Sequence, residues 1–105
     1  MDNIKNTNLE GVFVIQRPVY PDDRGSFQEI TRLDELESAT NQKIIIKQIN
    51  KSVSIPNVLR GLHIAPWGKL VHCYSGNVYQ VVVDTREDSS TFGEVFTCQM
   101  GDQNP

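Results

Sequence analysis

The chain has 105 residues, which is enough for one domain with a modest hydrophobic core. Its formal net charge of −3 argues against a nucleic acid or an anionic membrane surface as the main partner. No apolar run approaches the roughly 20 residues that a membrane-spanning helix needs, and the polar start at residues 1–6 lacks the apolar segment of a signal peptide. We therefore expect a cytoplasmic protein.

The first third of the sequence predicts short strands, a turn and one helix. Apolar residues at 12–15 form a first strand, residues 22–25 have the composition of a turn, and a second strand follows at 26–30. A short helix is predicted from about Asp34, whose carboxylate would cap it, with Glu37 at the capping-box position.

The remainder of the sequence predicts five further strands, at residues 44–50, 58–64, 69–74, 78–83 and 92–100. Gly76-Asn77 has the chemistry of a hairpin turn between the strands on either side of it. About seven short strands separated by turns predict a single all-β domain over residues 1–105, built as a β-sandwich or jelly roll. The sequence ends on turn-forming residues where another strand is expected, so either further strands of a longer protein or a partner chain would cover that edge.

Two amide side chains follow the apolar residues of the strand predicted at 44–50. In a strand, every second side chain points to the same face, so Gln48 and Asn50 share a face with Ile44 and Ile46. These amides either line a cavity inside the domain or meet water where the strand leaves the core.

His63 is the main candidate for chemistry in the strand predicted at 58–64. Histidine side chains can exchange a proton near neutral pH, which suits a general base, although a lone histidine on a half-apolar strand is more often structural. Strict alternation places Arg60 and His63 on opposite faces unless Gly61 permits a bend. Taken alone, Lys69 is typical of an edge-strand lysine that deters aggregation.

The sequence predicts no metal site. The residue two positions after His63 is Ala65, and no acidic residue occurs between His63 and Asp84, so the usual histidine pair with a following glutamate is missing. Cys73 and Cys98 stand singly in strand-like segments and are predicted to be reduced. The charged residues 84–88 are predicted to form a solvated connector.

Several motifs, taken together and in this order, resemble one family. The longest are Asp23-Arg24-Gly25-Ser26-Phe27-Gln28-Glu29, Gln48-Ile49-Asn50-Lys51-Ser52 and Asn57-Val58-Leu59-Arg60-Gly61-Leu62-His63. They resemble the N-terminal two-thirds of the dTDP-4-dehydrorhamnose 3,5-epimerases, over residues 11–100. The resemblance implies a cupin-type jelly roll that needs neither metal nor cofactor. It also implies inversion of carbons 3 and 5 of a dTDP-4-keto-6-deoxy sugar by a homodimer with exchanged N-terminal strands.

The resemblance further implies roles for particular residues. His63 would remove the proton next to the ketone, and Lys69 would stabilise the enolate oxygen that forms. Substrate-binding roles would fall to Arg24, Phe27, Glu29, Gln48, Ile49, Asn50 and Arg60. The segment from Arg24 to Glu29 would reach the nucleotide from the neighbouring subunit.

The sequence also departs from the family pattern. Ala65 replaces the usual glutamine, and the stretch between His63 and Lys69 is short. The family's proton-donating tyrosine and the acidic partner of its base lie beyond the segment that matches Met100, so the 105-residue chain is expected to be part of a longer enzyme and inactive alone. Two alternatives stay open: a dTDP-sugar 3,4-ketoisomerase, and a cupin that binds a sugar nucleotide without turning it over.

Overall fold

The computed structural model describes residues 3–105; Met1 and Asp2 of the polar start lie outside the described residues. Its elements are β1 (Ile4–Asn6), β2 (Phe13–Ile15), β3 (Tyr20–Asp22), β4 (Gly25–Phe27), α1 (Leu33–Thr40), β5 (Asn77–Val83) and β6 (Val95–Gly101). The strands pair as three separate antiparallel hairpins, β1–β2, β3–β4 and β5–β6. Because the regular structure is mostly strand with one short helix, it agrees with the all-β class expected from the sequence.

The β1–β2 hairpin closes around Leu9, whose exposed fraction of 1% makes it one of two buried apolar side chains among residues 3–105. The Thr7 hydroxyl donates to the carbonyl oxygen of Val12 at 2.9 Å and accepts a hydrogen bond from the Leu9 amide at 3.1 Å. Gly11 adopts a φ of 86°, a conformation that glycine reaches at little cost. The first strand predicted from the sequence is confirmed as β2.

The β3–β4 hairpin confirms the turn expected at residues 22–25. Asp22 accepts hydrogen bonds at 2.8 Å from both the backbone amide and the guanidinium of Arg24. The register places Tyr20 opposite Phe27. The strand predicted at 26–30 is shorter than expected, since β4 ends at Phe27.

Helix α1 is confirmed, but its predicted capping is wrong. The N-cap residue is Arg32, which makes no side-chain capping bond, and the Asp34 carboxylate accepts from the neighbouring Glu35 amide at 2.9 Å within the first turn. The Glu37 carboxylate instead accepts from the amide of Ile44 at 3.1 Å. No helix within residues 3–105 is long and apolar enough to cross a bilayer.

The β5–β6 hairpin is the longest, with its register running from Asn77 opposite Gly101 to Val83 opposite Val95. The hairpin turn predicted at Gly76-Asn77 is therefore wrong, because β5 pairs with β6 instead of with residues 69–74. Gly76, just before β5, instead pairs with Asp102, just after β6: its amide donates to the Asp102 carboxylate at 3.0 Å, and its carbonyl oxygen accepts from the Asp102 amide at 2.8 Å.

Residues 43–76 contain neither helix nor strand, so the strands predicted at 44–50, 58–64 and 69–74 are wrong for this structure. A strand needs a neighbour to satisfy its backbone donors and acceptors, and residues 3–105 offer this segment none. Large apolar side chains are consequently left in solvent, including Leu59, which is 94% exposed. The radius of gyration of 15.1 Å exceeds the roughly 13 Å of a compact domain of this length. The described chain is therefore open.

Candidate active site

The β3–β4 hairpin presents two of the residues predicted to bind substrate. Arg24 lies at the hairpin tip, where its side chain is 90% exposed and ion-paired to Asp22 at 2.8 Å. The pKa of Asp22 lies below its usual range, mainly because its carboxylate accepts a hydrogen bond from the Arg24 side chain. A second hydrogen bond, from the Arg24 backbone amide, has a smaller effect in the same direction. Phe27 is 64% exposed and lies opposite the exposed ring of Tyr20. A cation and two aromatic rings therefore face solvent on one small hairpin.

Glu29, the third predicted residue of this segment, belongs to what we call the Arg17 cluster: Arg17, Glu29, Arg32 and Glu35. The Arg17 guanidinium donates to Glu35 Oε2 at 2.6 Å and to Glu29 Oε2 at 2.8 Å. Arg32 donates to the other Glu29 oxygen, Oε1, at 3.3 Å. The hydrogen bond to Glu35 is the largest of the effects that raise the pKa of Arg17. The sequence analysis missed Arg17, since nothing in its spacing from residues 29 and 35 indicates contact.

A cleft of about 70 Å³ lies beside this cluster, lined by Arg17, Pro18, Tyr20, Phe27 and Glu29. It joins the charged cluster to the aromatic pair of the hairpin. Arg17 Nε is buried and has no hydrogen-bond partner among the described residues. Phe27 and Glu29, two of the residues predicted to bind substrate, line the same cleft.

The remaining predicted site residues are all exposed and lie in the segment 43–76: Gln48, Ile49, Asn50, Arg60, His63 and Lys69. The Gln48 amide donates to the Asn50 side-chain oxygen at 3.2 Å, so these two amides do lie side by side. The Arg60 guanidinium donates to Ser54 Oγ at 2.9 Å and to the Val53 carbonyl oxygen at 3.0 Å. None of the six lines the cleft beside Phe27, so the described chain does not bring the two halves of the predicted site together.

The solvated connector predicted at residues 84–88 is wrong at Asp84, because the side chain of Asp84 is only 1% exposed. Its carboxylate accepts from the Arg86 guanidinium at 2.9 Å and from the hydroxyls of Ser89 and Thr91 at 2.6 Å each. These hydrogen bonds hold the pKa of Asp84 far below its usual range, and the one from Arg86 has the largest effect. Arg86 also donates to the Glu10 carbonyl oxygen at 2.9 Å, which links this Asp84 cluster (Asp84, Arg86, Ser89 and Thr91) to the N-terminal hairpin.

The described part of the chain contains no group of three or more histidine, cysteine, aspartate or glutamate side chains arranged to hold a metal ion. Cys73 and Cys98 are free thiols, as the sequence predicts. Burial raises the pKa of the Cys98 thiol.

Two solved structures share the fold of this chain. One is dTDP-4-dehydrorhamnose 3,5-epimerase from Elizabethkingia anophelis, with a TM-score of 0.82 and 36% identity over 96% of this chain and 57% of that one. The other is the rmlC epimerase of Mycobacterium tuberculosis, with a TM-score of 0.86 and 34% identity over 96% of this chain and 52% of that one. The chain thus has the fold of part of an epimerase.

A family model described as dTDP-4-dehydrorhamnose 3,5-epimerase matches residues 6–105. The chain therefore belongs to the dTDP-4-dehydrorhamnose 3,5-epimerase family, which confirms the family predicted from its motifs.

Curated relatives of the chain carry the name dTDP-4-dehydrorhamnose 3,5-epimerase, among them one archaeal and one bacterial protein. The protein from Methanothermobacter thermautotrophicus is 38% identical over 101 residues, covering 93% of this chain and 54% of the relative. The protein from Shigella flexneri is 40% identical over 96 residues, covering 88% of this chain and 53% of the relative. The chain spans about half the length of the curated relatives it matches, less than the two-thirds expected from the motifs.

Proposed function

We propose that the protein is an isomerase that inverts carbons 3 and 5 of a dTDP-4-keto-6-deoxy sugar, on the route to a dTDP-rhamnose-type deoxysugar. The observation that carries this proposal is the family match over residues 6–105, within which His63 ends the motif Val58-Leu59-Arg60-Gly61-Leu62-His63. We further propose that the complete domain is a cupin-type jelly roll. The TM-scores of 0.82 and 0.86 to two solved epimerases support that fold.

The chemistry depends on the acidity of hydrogens on carbons next to the 4-keto group. Such a hydrogen can be removed when the negative charge that develops on the ketone oxygen is stabilised. We assign the removal of the proton to His63 and the stabilisation of the oxygen to the Lys69 ammonium group. Both side chains are exposed in the described chain. Because electrostatic stabilisation is strongest where water is excluded, we propose that the assembled protein encloses them.

The remaining residues of the proposed site recognise the nucleotide and the sugar. Guanidinium groups bind phosphate oxygens through paired hydrogen bonds, which suits Arg24 and Arg60 to the diphosphate. Phe27 and Glu29 would contact the nucleotide from the cleft beside the β3–β4 hairpin. The other substrate contacts come from Gln48, Ile49 and Asn50.

The function is tested by NMR analysis of the product made by the protein expressed from its whole reading frame. With a dTDP-4-keto-6-deoxyhexose in deuterated solvent, we expect inverted configuration and incorporated deuterium at both C3 and C5. A product whose ketone has moved to C3 would identify a 3,4-ketoisomerase instead. Binding of the nucleotide sugar without deuterium incorporation would identify a binding protein without turnover.

We propose that two copies of the protein share their sites. All strand residues of the β3–β4 hairpin are exposed. The proposed nucleotide-binding residues Arg24 and Phe27 lie on this hairpin, whereas His63 lies in a different segment of the chain. An exchange of such a segment between subunits would bring the two sets of residues together.

Light scattering of the protein from the whole reading frame is therefore expected to give the mass of a dimer at micromolar concentration. Mixing Arg24→Ala subunits with His63→Asn subunits should restore turnover, because each heterodimer would contain one intact site. A monomer by light scattering, or inactive heterodimers of verified composition, would contradict the shared site.

A further inference from the structure

The β3–β4 hairpin is not held in place by burial. All six residues of its strands are exposed, and each strand has only three residues. A two-stranded hairpin this short is marginally stable by itself in water. The orientation of its exposed side chains, Arg24 and Phe27 among them, therefore depends on polar contacts at the base of the hairpin.

Arg17 precedes β3 and makes hydrogen bonds to the residues that follow β4, so it connects the two chain segments at the base of the hairpin. Its carbonyl oxygen accepts a hydrogen bond at 2.9 Å from the side-chain amide of Gln28, directly after β4. Its guanidinium donates to the Glu29 carboxylate at 2.8 Å and to Glu35 of helix α1 at 2.6 Å. One residue thus connects the segment after β2, the end of the hairpin and the helix.

Arg17 differs from the other arginines of this region in its burial. Its side chain is 10% exposed, whereas that of Arg32 is 50% exposed and that of Arg24 is 90% exposed. Removing this largely buried guanidinium would take the shortest charged hydrogen bonds away from the partly exposed carboxylates of Glu29 and Glu35, which costs more than losing a pair in which both side chains are exposed. Among these arginines, Arg17 should therefore have the largest effect on the geometry of the hairpin.

Arg17 also affects the net charge of the cleft beside Phe27, because it is ion-paired to Glu29 there. Glu29 lines the cleft beside Phe27, and a free carboxylate there would repel a nucleotide diphosphate. In the structure, Arg17 and Arg32 offset the charges of Glu29 and Glu35. Of these two arginines only Arg17 lines the cleft, so without it the Glu29 carboxylate would be the one charged group among the described lining residues.

We propose that Arg17 is a positioning residue for nucleotide binding, which fixes the β3–β4 hairpin and neutralises Glu29 without contacting the substrate. This inference rests on the proposed function, since it assigns Arg17 to the nucleotide end of the same site. It predicts a defect in nucleotide affinity that leaves the proton-transfer step unchanged.

The test compares Arg17→Gln with the matched control Arg32→Gln, both in the protein expressed from its whole reading frame. Arg17→Gln is expected to raise the Kd for dTDP, measured by calorimetry, and the KM by about tenfold, as is typical for the loss of a charged hydrogen bond. The turnover number kcat should stay within about threefold, because the groups that move protons are untouched. Arg32→Gln should leave both constants within about twofold, as expected for an exposed pair.

A double-mutant cycle separates positioning through Glu29 from general destabilisation. If Arg17 acts through Glu29, then adding Arg17→Gln to a Glu29→Gln variant should raise the Kd for dTDP much less than it does in the wild-type background. If Arg17→Gln does not fold, Arg17→Lys provides the measurement, since lysine keeps the charge but cannot bridge two carboxylates in the same planar geometry. We expect about a threefold rise in Kd for that variant.

A folded Arg17→Gln protein with wild-type Kd and KM would overturn the inference while leaving the proposed function intact. Full additivity in the cycle, or a loss confined to kcat, would also overturn it. Failure of the wild-type protein itself to bind dTDP would remove the proposed function together with this inference.

Discussion

Replacing His63 with asparagine is expected to lower kcat by about 10²–10⁴-fold in the protein expressed from its whole reading frame, because that is the usual contribution of a general base. Asparagine keeps a similar size and a hydrogen-bonding side chain but cannot take up a proton near neutral pH. The affinity for dTDP should change by no more than about threefold, since His63 is assigned to the sugar and not to the nucleotide. Turnover is measured by NMR, and affinity by calorimetry.

The second histidine of the chain provides a matched control. His72 is exposed, and its ring stacks on that of Tyr74 with the ring centroids 6.2 Å apart. The same substitution, His72→Asn, therefore removes an imidazole nine positions further along the chain without touching the proposed base. We expect it to leave turnover close to the wild-type value. If His63→Asn retained turnover within about threefold of wild type, His63 would not be the base.

Elements whose conformation is set by residues close together in the sequence could be predicted from the sequence. The turn at residues 22–25 follows from residue types that act within a few positions of one another, and helix α1 lies where the sequence predicts it although its predicted cap is wrong. The strand of β5 was also predictable, because its alternating and β-branched residues favour an extended chain. Its pairing was not, since the Gly76-Asn77 turn chemistry favoured the wrong neighbour.

The strands expected within residues 43–76 show the limit of pattern analysis. Segments such as 44–50 carry apolar residues with the period of a strand, yet the described chain leaves them without a pairing partner and exposes them. Strand formation is a property of pairs, and a single sequence pattern does not contain the partner. The motif match identified His63 and Arg60 as candidates, but the geometry that would surround them depends on contacts that the described residues do not provide.

The two charged clusters were missed for a related reason. Arg17 and its carboxylate partners are 12 and 18 residues apart, a separation at which no local rule predicts contact. Asp84 begins a run of charged residues, which is typical of a solvated loop. A usable signal was nevertheless present, because an aspartate directly after strand β5 is followed closely by the hydroxyls of Ser89 and Thr91. Such side chains often organise turns through hydrogen bonds to a nearby carboxylate and backbone.

Replacing Asp84 with asparagine is expected to lower the thermal midpoint by roughly 5–10 °C, because the change disrupts a buried and fully hydrogen-bonded carboxylate. The carboxylate accepts from a guanidinium, two hydroxyls and a backbone amide, and a side-chain amide can accept through only one of its two heavy atoms. The Arg86 guanidinium would lose its counter-charge while still being needed to contact the Glu10 carbonyl oxygen. The matched control is Asp88→Asn, which removes an exposed carboxylate from the same loop and should leave the midpoint nearly unchanged.

The pH dependence of this loss follows from the direction of the pKa shift of Asp84. The folded protein holds the pKa of Asp84 below the ordinary value of about 3.9, so in acid the unfolded chain binds this proton first. The stabilisation is therefore complete above that ordinary value and is lost as the pH falls below it toward the folded pKa. Urea unfolding of wild type and Asp84→Asn should show a stability difference that is constant near neutral pH and shrinks below about pH 4. A difference that stayed the same down to the acid limit of folding would mean that the charge of Asp84 does not stabilise the fold, and that its hydrogen-bonding shape alone holds the loop between β5 and β6.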